Sequence, residues 1–422
     1  MVTKSGYQPA AMAILPPNYQ ERLEYRRWVT PQPLAQAPIH RWFVFPHSFS
    51  RELVWKLIDE WGVGPHDHIL DPFVGAGTTL LAAKERGISA TGVDLSPLAV
   101  FVSRVKLADY QPEEVEEGLE RIVSRFKQDQ GAGDFLEGRE FLKTCFSPQV
   151  LENLCKLRSA ILAEPQDKLR DFFLLGLLAI LKHFSYAVRD GGWLRWQKRP
   201  IEAAEVLPSF LRQVSDMLLD LRKSHAFARD ATYKVYHADA RYLELPDLYS
   251  AVITSPPYPN RHDYSRIFTI ELLFHFLNEL QLKEFRHHSF SSHVEARPRN
   301  DARTPLLPTS FWRLLELLKE KGADRRVPRM LRGFMEDMYI TMLCLQKLIQ
   351  PEGKLAFIVG NVRYLGEMIE VDDLLSQLAQ QAGFKWLTTW VVRYRGNSAQ
   401  QMGRYGRRAA RESIVILEKS GK

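Results

Sequence analysis

Ile69-Leu70-Asp71-Pro72-Phe73-Val74-Gly75-Ala76-Gly77-Thr78-Thr79 is the stretch that decides the fold. An apolar pair leads into a glycine-spaced loop, and Leu80 to Lys84 then reads as the start of a helix. Gly75 and Gly77 let the backbone turn tightly and approach a ligand closely, and the helix N-terminus behind them offers free N–H groups. Beyond that helix, Ala90-Thr91-Gly92-Val93-Asp94-Leu95-Ser96 reads as a second strand ending in an acid 23 positions after Asp71. That distance suits a carboxylate accepting both hydroxyls of a ribose. Gly-x-Gly alone is a weak signal. This loop lacks the third glycine of the dinucleotide fingerprint and the Gly-Lys-Ser/Thr of a P-loop.

A second stretch carries the chemistry. Tyr249 to Ile253 reads as a short buried strand that runs into Thr254-Ser255-Pro256-Pro257-Tyr258. Two consecutive prolines fix φ near −65° and remove two N–H donors, which leaves carbonyls free to accept. The Ser255 hydroxyl and the Tyr258 ring flank that acceptor. The set could hold a planar, amino-bearing ring, or it could be a Pro-Pro turn capping a strand. The stretch resembles the (D/N/S)-P-P-(Y/F) motif of exocyclic-amino methyltransferases, in the T-S-P-P-Y form of the cytosine-N4 enzymes. D-P-F-x-G-x-G-T-T followed by G-x-D is similar to the S-adenosylmethionine (SAM) loop of the same enzymes.

The resemblance implies an α/β fold, a Rossmann-like class I SAM methyltransferase sheet, and SAM as cofactor. It implies cofactor contacts from Asp71, Pro72, Phe73, Gly75, Gly77, Thr78 and Thr79, from Asp94, Leu95 and Ser96, from Asp239 and Ala240, and from Ser255. Asp239 would accept from the adenine amino group. Phe45, Pro46 and Ser48, just before the glycine loop, would close over the methionine end, although plain core packing explains each of them as well. Ser255, Pro256, Pro257 and Tyr258 would form the catalytic set. The resemblance is specific over residues 69–94 and 239–258, looser over the remaining strands, and absent from the middle of the chain.

At 422 residues and 45% hydrophobic composition, the chain has room for a large core. No apolar run approaches the roughly 20 residues that span a membrane. Met1 to Ala13 lacks a signal-peptide pattern, so a cytoplasmic protein is expected. Cys145, Cys155 and Cys344 show no metal spacing, and none follows a proline, which argues against a cytosine-C5 methyltransferase and its thiolate nucleophile. A net charge of +7 suits an anionic partner, and duplex DNA is the expected one. Neither a membrane nor a metal ion is expected.

Residues 1–40 hold six of the 24 prolines and read as an extended N-terminal arm. Arg41 to His47 looks extended, and Ser50 can cap a helix bearing Leu53, Val54, Leu57 and Ile58 on one face. Segments 41–111, 232–280 and 330–422 form the expected catalytic domain. Residues 112–231 read as a helical insertion between the second and third strands, with no strand of its own, and as the target-recognition region. Within it, Arg189, Trp193 and Arg195 interleave basic and aromatic groups, either as a surface for phosphates and bases or as a structural loop. Lys234 to Ala238 is the third strand, followed by Asp239. After Tyr258 a polar loop with Arg261 and Tyr264 should overhang the base, and Ile267 to Leu277 reads as an amphipathic helix. Residues 281–329, rich in His and Arg, read as a basic flexible loop; His-rich tracts can bind metal, but carboxylate and cysteine partners at ligand spacing are missing. Trp386 to Tyr394 and Glu412 to Glu418 read as a strand pair. The loop between them carries Arg395, Asn397, Gln400, Gln401, Arg404 and Arg407, side-chain types that read base edges and phosphates.

The expected activity is methylation of cytosine N4 in duplex DNA after base flipping, as in a restriction–modification system with a cognate endonuclease as further partner. DNA adenine-N6 methylation and RNA guanine-N2 methylation use similar loops and remain alternatives. A nucleic-acid-binding regulator with a vestigial SAM fold is the alternative outside the enzymes.

Overall fold

The computed structural model describes residues 15–128, 133–190, 193–223, 231–297, 303–396 and 399–421. Its framework is an eight-stranded sheet whose central strands bury most of their residues. Its strands are β1 (Tyr19–Glu21), β2 (His68–Asp71), β3 (Ser89–Asp94), β6 (Tyr233–His237), β7 (Tyr249–Thr254), β8 (Ile349–Gly360), β11 (Phe384–Arg395) and β12 (Ala410–Lys419). β4 (Ala187–Asp190) pairs with β5 (Trp193–Trp196), and β9 (Val362–Tyr364) with β10 (Glu367–Ile369), as separate hairpins. The order across the large sheet is β1-β11-β12-β8-β7-β2-β3-β6.

Five neighbouring strands, β8-β7-β2-β3-β6, run parallel. β12 enters antiparallel between β8 and β11. The expected Rossmann-like α/β sheet is therefore the one seen. From β2 the chain steps outward through β3 and β6, then returns to β7 on the other side of β2. In an open parallel sheet that reversal opens a crevice at the carboxyl ends of the strands, where ligands bind. Helices Arg51–Trp61, Thr78–Lys84 and Pro97–Leu107 cover one face and helices Arg326–Leu348 and Val371–Gln381 the other.

The insertion lies between β3 and β6, and its apolar core, around the nearly all-buried helix Asp167–Phe184, is shared with helix Pro97–Leu107 and the segment before β2. It is not wholly helical, and here the expectation is corrected: β4 and β5 form a hairpin flanking Gly191-Gly192. Each strand has only four residues, too few for a period-two pattern to stand out, though a glycine pair is a turn signal. The 281–329 stretch also differs from a flexible loop. Helices Glu279–His288 and Thr309–Glu320 occupy much of it, the first started by a capping box of Asn278 and Gln281. Its charged composition masked that signal. Ile267 to Leu277 is broken into short turns and a π-helical turn, Leu272–Phe276. Of the N-terminal arm, residues 1–14 lie outside the described residues. The rest is docked, with β1 parallel to β11 and short 3-10 turns after it, one of them at His40–Trp42 where extended backbone was expected.

One buried acid sets the segment before β2. Asp220, on helix Val206–Lys223 of the insertion, accepts from Ile39 N at 3.0 Å, Arg41 Nε at 2.8 Å and Trp42 Nε1 at 3.1 Å. Replacing it leaves several donors, one charged, without their acceptor. Asp220→Ala should lower unfolding free energy by about 3 kcal/mol in chemical denaturation, whereas Asp216→Ala, on the exposed face of the same helix, should change it little.

Candidate cofactor and base site

The crevice at the strand ends holds a cavity walled by the loops after β2, β3, β6 and β7. β2 delivers Asp71, and the glycine loop turns beneath the cavity with Gly75 at φ +51° and Gly77 at φ +79°. Both angles are ones that side-chain-bearing residues seldom adopt. Gly77 also meets Ser103 so closely that a Cβ would lie 3.0 Å from its hydroxyl. Lys106, fully buried, donates from Nζ to Phe43 O at 2.7 Å and Ala76 O at 3.0 Å. It thereby joins the glycine loop to the segment before it, and burial lowers its pKa to about 7.

Two carboxylates organise the floor. Asp94, at the end of β3, accepts the Gly75 N–H at 3.0 Å and the Ser96 N–H at 2.8 Å, one on each oxygen. Burial pushes its pKa up, so the carboxylate gains from further donors at its remaining lone pairs. A ribose with two hydroxyls supplies them, and this donor need is the structural reason that SAM fits. Asp71 points the other way. Its Oδ1 accepts from Thr254 Oγ1 at 2.6 Å and from Phe73 N at 3.1 Å. Thr79 Oγ1 donates to Ile253 O at 3.1 Å. Asp71 and Thr79 thus lock the glycine loop to β7, the strand that leads into Ser255.

The cavity wall gathers most of the residues expected to bind cofactor: Phe45, Ser48, Asp71, Pro72, Phe73, Gly75, Thr78, Asp94, Leu95, Ser96, Asp239, Ala240 and Ser255. Pro46 is exposed beside it, Gly77 caps the helix and Thr79 lies behind the wall. Of the catalytic set, Ser255 and Pro257 line the cavity, whereas Pro256 is buried behind it. Tyr258 is partly buried, with the Arg395 guanidinium 5.8 Å from its ring centroid. Burial, joined by the charge of Glu412, raises its phenol pKa. Gly360 makes room for that pair, since a Cβ there would lie 2.5 Å from Arg395 Nη2 and 3.2 Å from the Tyr258 ring.

The expected nucleic-acid contacts divide. Tyr264 lines the cavity, edge-on to His47 at 5.8 Å, and His47 stands 4.7 Å from His262. Arg261 holds a positive φ of 68° and donates its N–H to Ser292 O. Arg189 is committed inside the protein: it pairs with Glu271 and donates to Ile267 O, so its charge is already met. Arg195 is exposed beside Asp190; Arg404 is exposed on a short helix, Ala399–Tyr405, where a loop was expected, and Arg407 is exposed between that helix and β12. Asn397 lies outside the described residues, as do the side chains of Trp193, Gln400 and Gln401. Among the described residues, no group of three or more His, Cys, Asp or Glu could hold a metal ion, and no helix is long and apolar enough to cross a membrane.

Sequence reasoning missed a whole wall. Asp263, Ser265, Phe268 and Leu272, and then Phe285, Ser289, Phe290, Ser292 and His293, also face the cavity. No spacing rule points to them: the first four come from a polar loop and a stretch that reads as an amphipathic helix, the rest from a segment whose composition reads as a solvated loop.

Residues 13–101 match the family model described as DNA methylase (N6_N4_Mtase). The chain is 29% identical to the Type II methyltransferase M.BsoBI of Geobacillus stearothermophilus, over 93% of this chain and 88% of that one. It is 28% identical to the Type II methyltransferase M.AvaI of Nostoc sp., over 93% of this chain and 89% of that one. It is also 22% identical to the Type II methyltransferase M.MvaI of Kocuria varians, over 52% of this chain and 53% of that one.

Burial raises the Asp71 carboxyl from 3.8 to about 6, against the opposing hydrogen bonds from Thr254, Thr79 and Phe73. A raised folded-state value means that the neutral acid is favoured in the native protein. The associated stability is complete below pH 3.8 and is lost as pH rises through about 6. Asp71→Asn removes the titration while keeping an acceptor for Thr254. Between pH 4 and 6 the unfolding free energy of the variant, relative to wild type, should rise by up to about 3 kcal/mol. A pH-independent difference in denaturation midpoints would contradict this.

Proposed function

We propose that the chain is a SAM-dependent DNA methylase of the N6/N4 family, and that it methylates N4 of a cytosine flipped out of duplex DNA. The observation that carries the reading is one shared cavity: Ser255 and Pro257 stand on the same wall as Gly75 and Asp94. When bound, SAM supplies an electrophilic methyl group on a sulfonium. The chain's own residues make the acceptor nitrogen able to receive it.

An exocyclic amino nitrogen is a poor nucleophile because its lone pair is delocalised into the ring. In this reading the Ser255 hydroxyl and the Pro256 carbonyl accept from the two amino hydrogens and draw the nitrogen towards a tetrahedral shape. Tyr258 stacks on the extruded base and offsets part of the few kcal/mol that flipping costs. Thr254, held by Asp71, fixes the backbone that aims Ser255. Positioning then supplies most of the acceleration: the N–CH3 bond would form as the S–CH3 bond breaks and a neutral thioether leaves, and the methylated nitrogen would then release its proton, so no strong base is required before attack. Serine at 255, where an Asp or Asn is the common alternative, favours cytosine by resemblance to the T-S-P-P-Y enzymes.

The helical insertion, the polar loop from Arg261 to Tyr264 and the basic segment before β12 would contact the duplex, with Arg195, Arg404 and Arg407 on phosphates. The two relatives matched over most of their length carry Type II names. That supports a restriction–modification role, with a cognate endonuclease as the companion activity.

Labelled methyl transfer from SAM to unmethylated duplex DNA, followed by mass analysis of the nucleosides, tests the reading. N4-methylcytosine is expected from wild type. Tyr258→Ala should lower kcat/KM roughly 10- to 100-fold through lost stacking. Ser255→Ala should lower kcat by a larger factor than it weakens SAM binding. N6-methyladenine would overturn the choice of base, and transfer to RNA alone would overturn the choice of nucleic acid.

A further inference from the structure

The cavity has a wall that no motif accounts for. Resting on the SAM reading above, we propose that Ser289–His293 is a cofactor-binding element, in which Phe290 covers the adenine ring and the Arg241–Asp337 pair holds the segment in place.

Strand order fixes the direction in which the cofactor lies. The loops after β6, β3, β2 and β7 follow one another across the sheet and bear Asp239, Asp94, Gly75 and Ser255 in that order. With the ribose on Asp94 and the reacting end towards Ser255, the adenine falls on the Asp239 side. Phe290 is at that end. It meets Phe73 of the glycine loop edge-on at 5.4 Å, and the Arg241 guanidinium sits 5.4 Å from its ring centroid.

Arg241 is the clasp. It is 1% exposed. Its Nε and Nη2 grip the two Asp239 oxygens at 2.8 and 2.7 Å, and Nη1 donates to Asp337 Oδ2 at 3.0 Å. Nη2 also donates to His288 O at 2.8 Å, and Asp337 Oδ2 accepts the Ser291 N–H at 2.9 Å. The same ion network therefore orients Asp239 and seats the segment on either side of Phe290. The fit on helix Arg326–Leu348 is close, since a Cβ on Gly333 would come within 2.9 Å of the Ser291 hydroxyl. A seat built from a buried arginine and two acids exceeds what a surface loop requires. An aromatic ring held rigidly against a purine site loses little entropy on binding, so its contact area converts well into affinity.

The test is calorimetric binding of SAM and of adenosine to wild type, Phe290→Leu, Phe290→Tyr and Asp337→Asn. Leucine keeps the apolar volume and removes the aromatic face. The result expected is that Phe290→Leu weakens SAM and adenosine by the same factor, roughly 10-fold. Phe290→Tyr should stay within about threefold of wild type. Asp337→Asn, which acts only by positioning, should weaken both ligands together, with the far-ultraviolet dichroism of wild type. Unchanged affinity in Phe290→Leu, or loss for SAM without loss for adenosine, would overturn the proposal. A wild-type protein that binds neither ligand would overturn the cofactor reading itself, and the wall with it.

Discussion

The site depends on one short hydrogen bond, Thr254 Oγ1 to Asp71 Oδ1 at 2.6 Å. β2 and β7 are paired over only two residues in register, Ile69 with Ala251 and Leu70 with Val252. Beyond that point the backbones separate to open the crevice, and a separated pair of loops would be free to shift. The carboxylate is 2% exposed, so its contact with the hydroxyl is made away from competing water. Thr79 adds a second tie, from the helix after the glycine loop back to Ile253 O. The glycine loop and the loop bearing Ser255 are thus tied together, as the proposed in-line transfer between two bound molecules demands.

Around that tie, each further element supplies a wall. Lys106 draws the Phe43 and Ala76 carbonyls together and brings Phe45 and Ser48 over the glycine loop. Asp220 ties the start of the same segment to the insertion, so the inserted helices brace the cavity as well as enlarging the surface. On the far side, Tyr364 donates to Pro259 O at 2.7 Å and steadies the turn after Tyr258. Buried charges recur at these joints, and each has several hydrogen-bond partners, as the cost of burying a charge requires.

The parts of the molecule readable in the sequence are those where backbone chemistry leaves a local mark. Gly75 and Gly77 mark a turn with positive φ, Asp94 marks a strand end, and Pro256-Pro257 marks a backbone with missing donors; those positions lie at or beside one cavity. The parallel strands were readable from short apolar cores between helices, such as Ile69-Leu70 in β2 and Ala251-Val252-Ile253 in β7. The wall from Phe285 to His293 was not, because its role comes from Arg241 and Asp337, bonded to it across 47 and 46 residues of chain. Arg189 misled for the matching reason: its partner Glu271 is 82 residues distant, and nothing local distinguishes a paired arginine from a free one. The β4–β5 hairpin was too short for its periodicity to register.

The most direct measurement is a crystal structure of the protein with a non-reactive SAM analogue. The arrangement of the loops predicts ribose hydroxyls on Asp94, adenine between Asp239 and Phe290, and the sulfonium-equivalent group facing Ser255 and Pro257. An analogue bound with that group turned away from Ser255, or bound outside the cavity, would contradict the shared site on which the proposed chemistry rests.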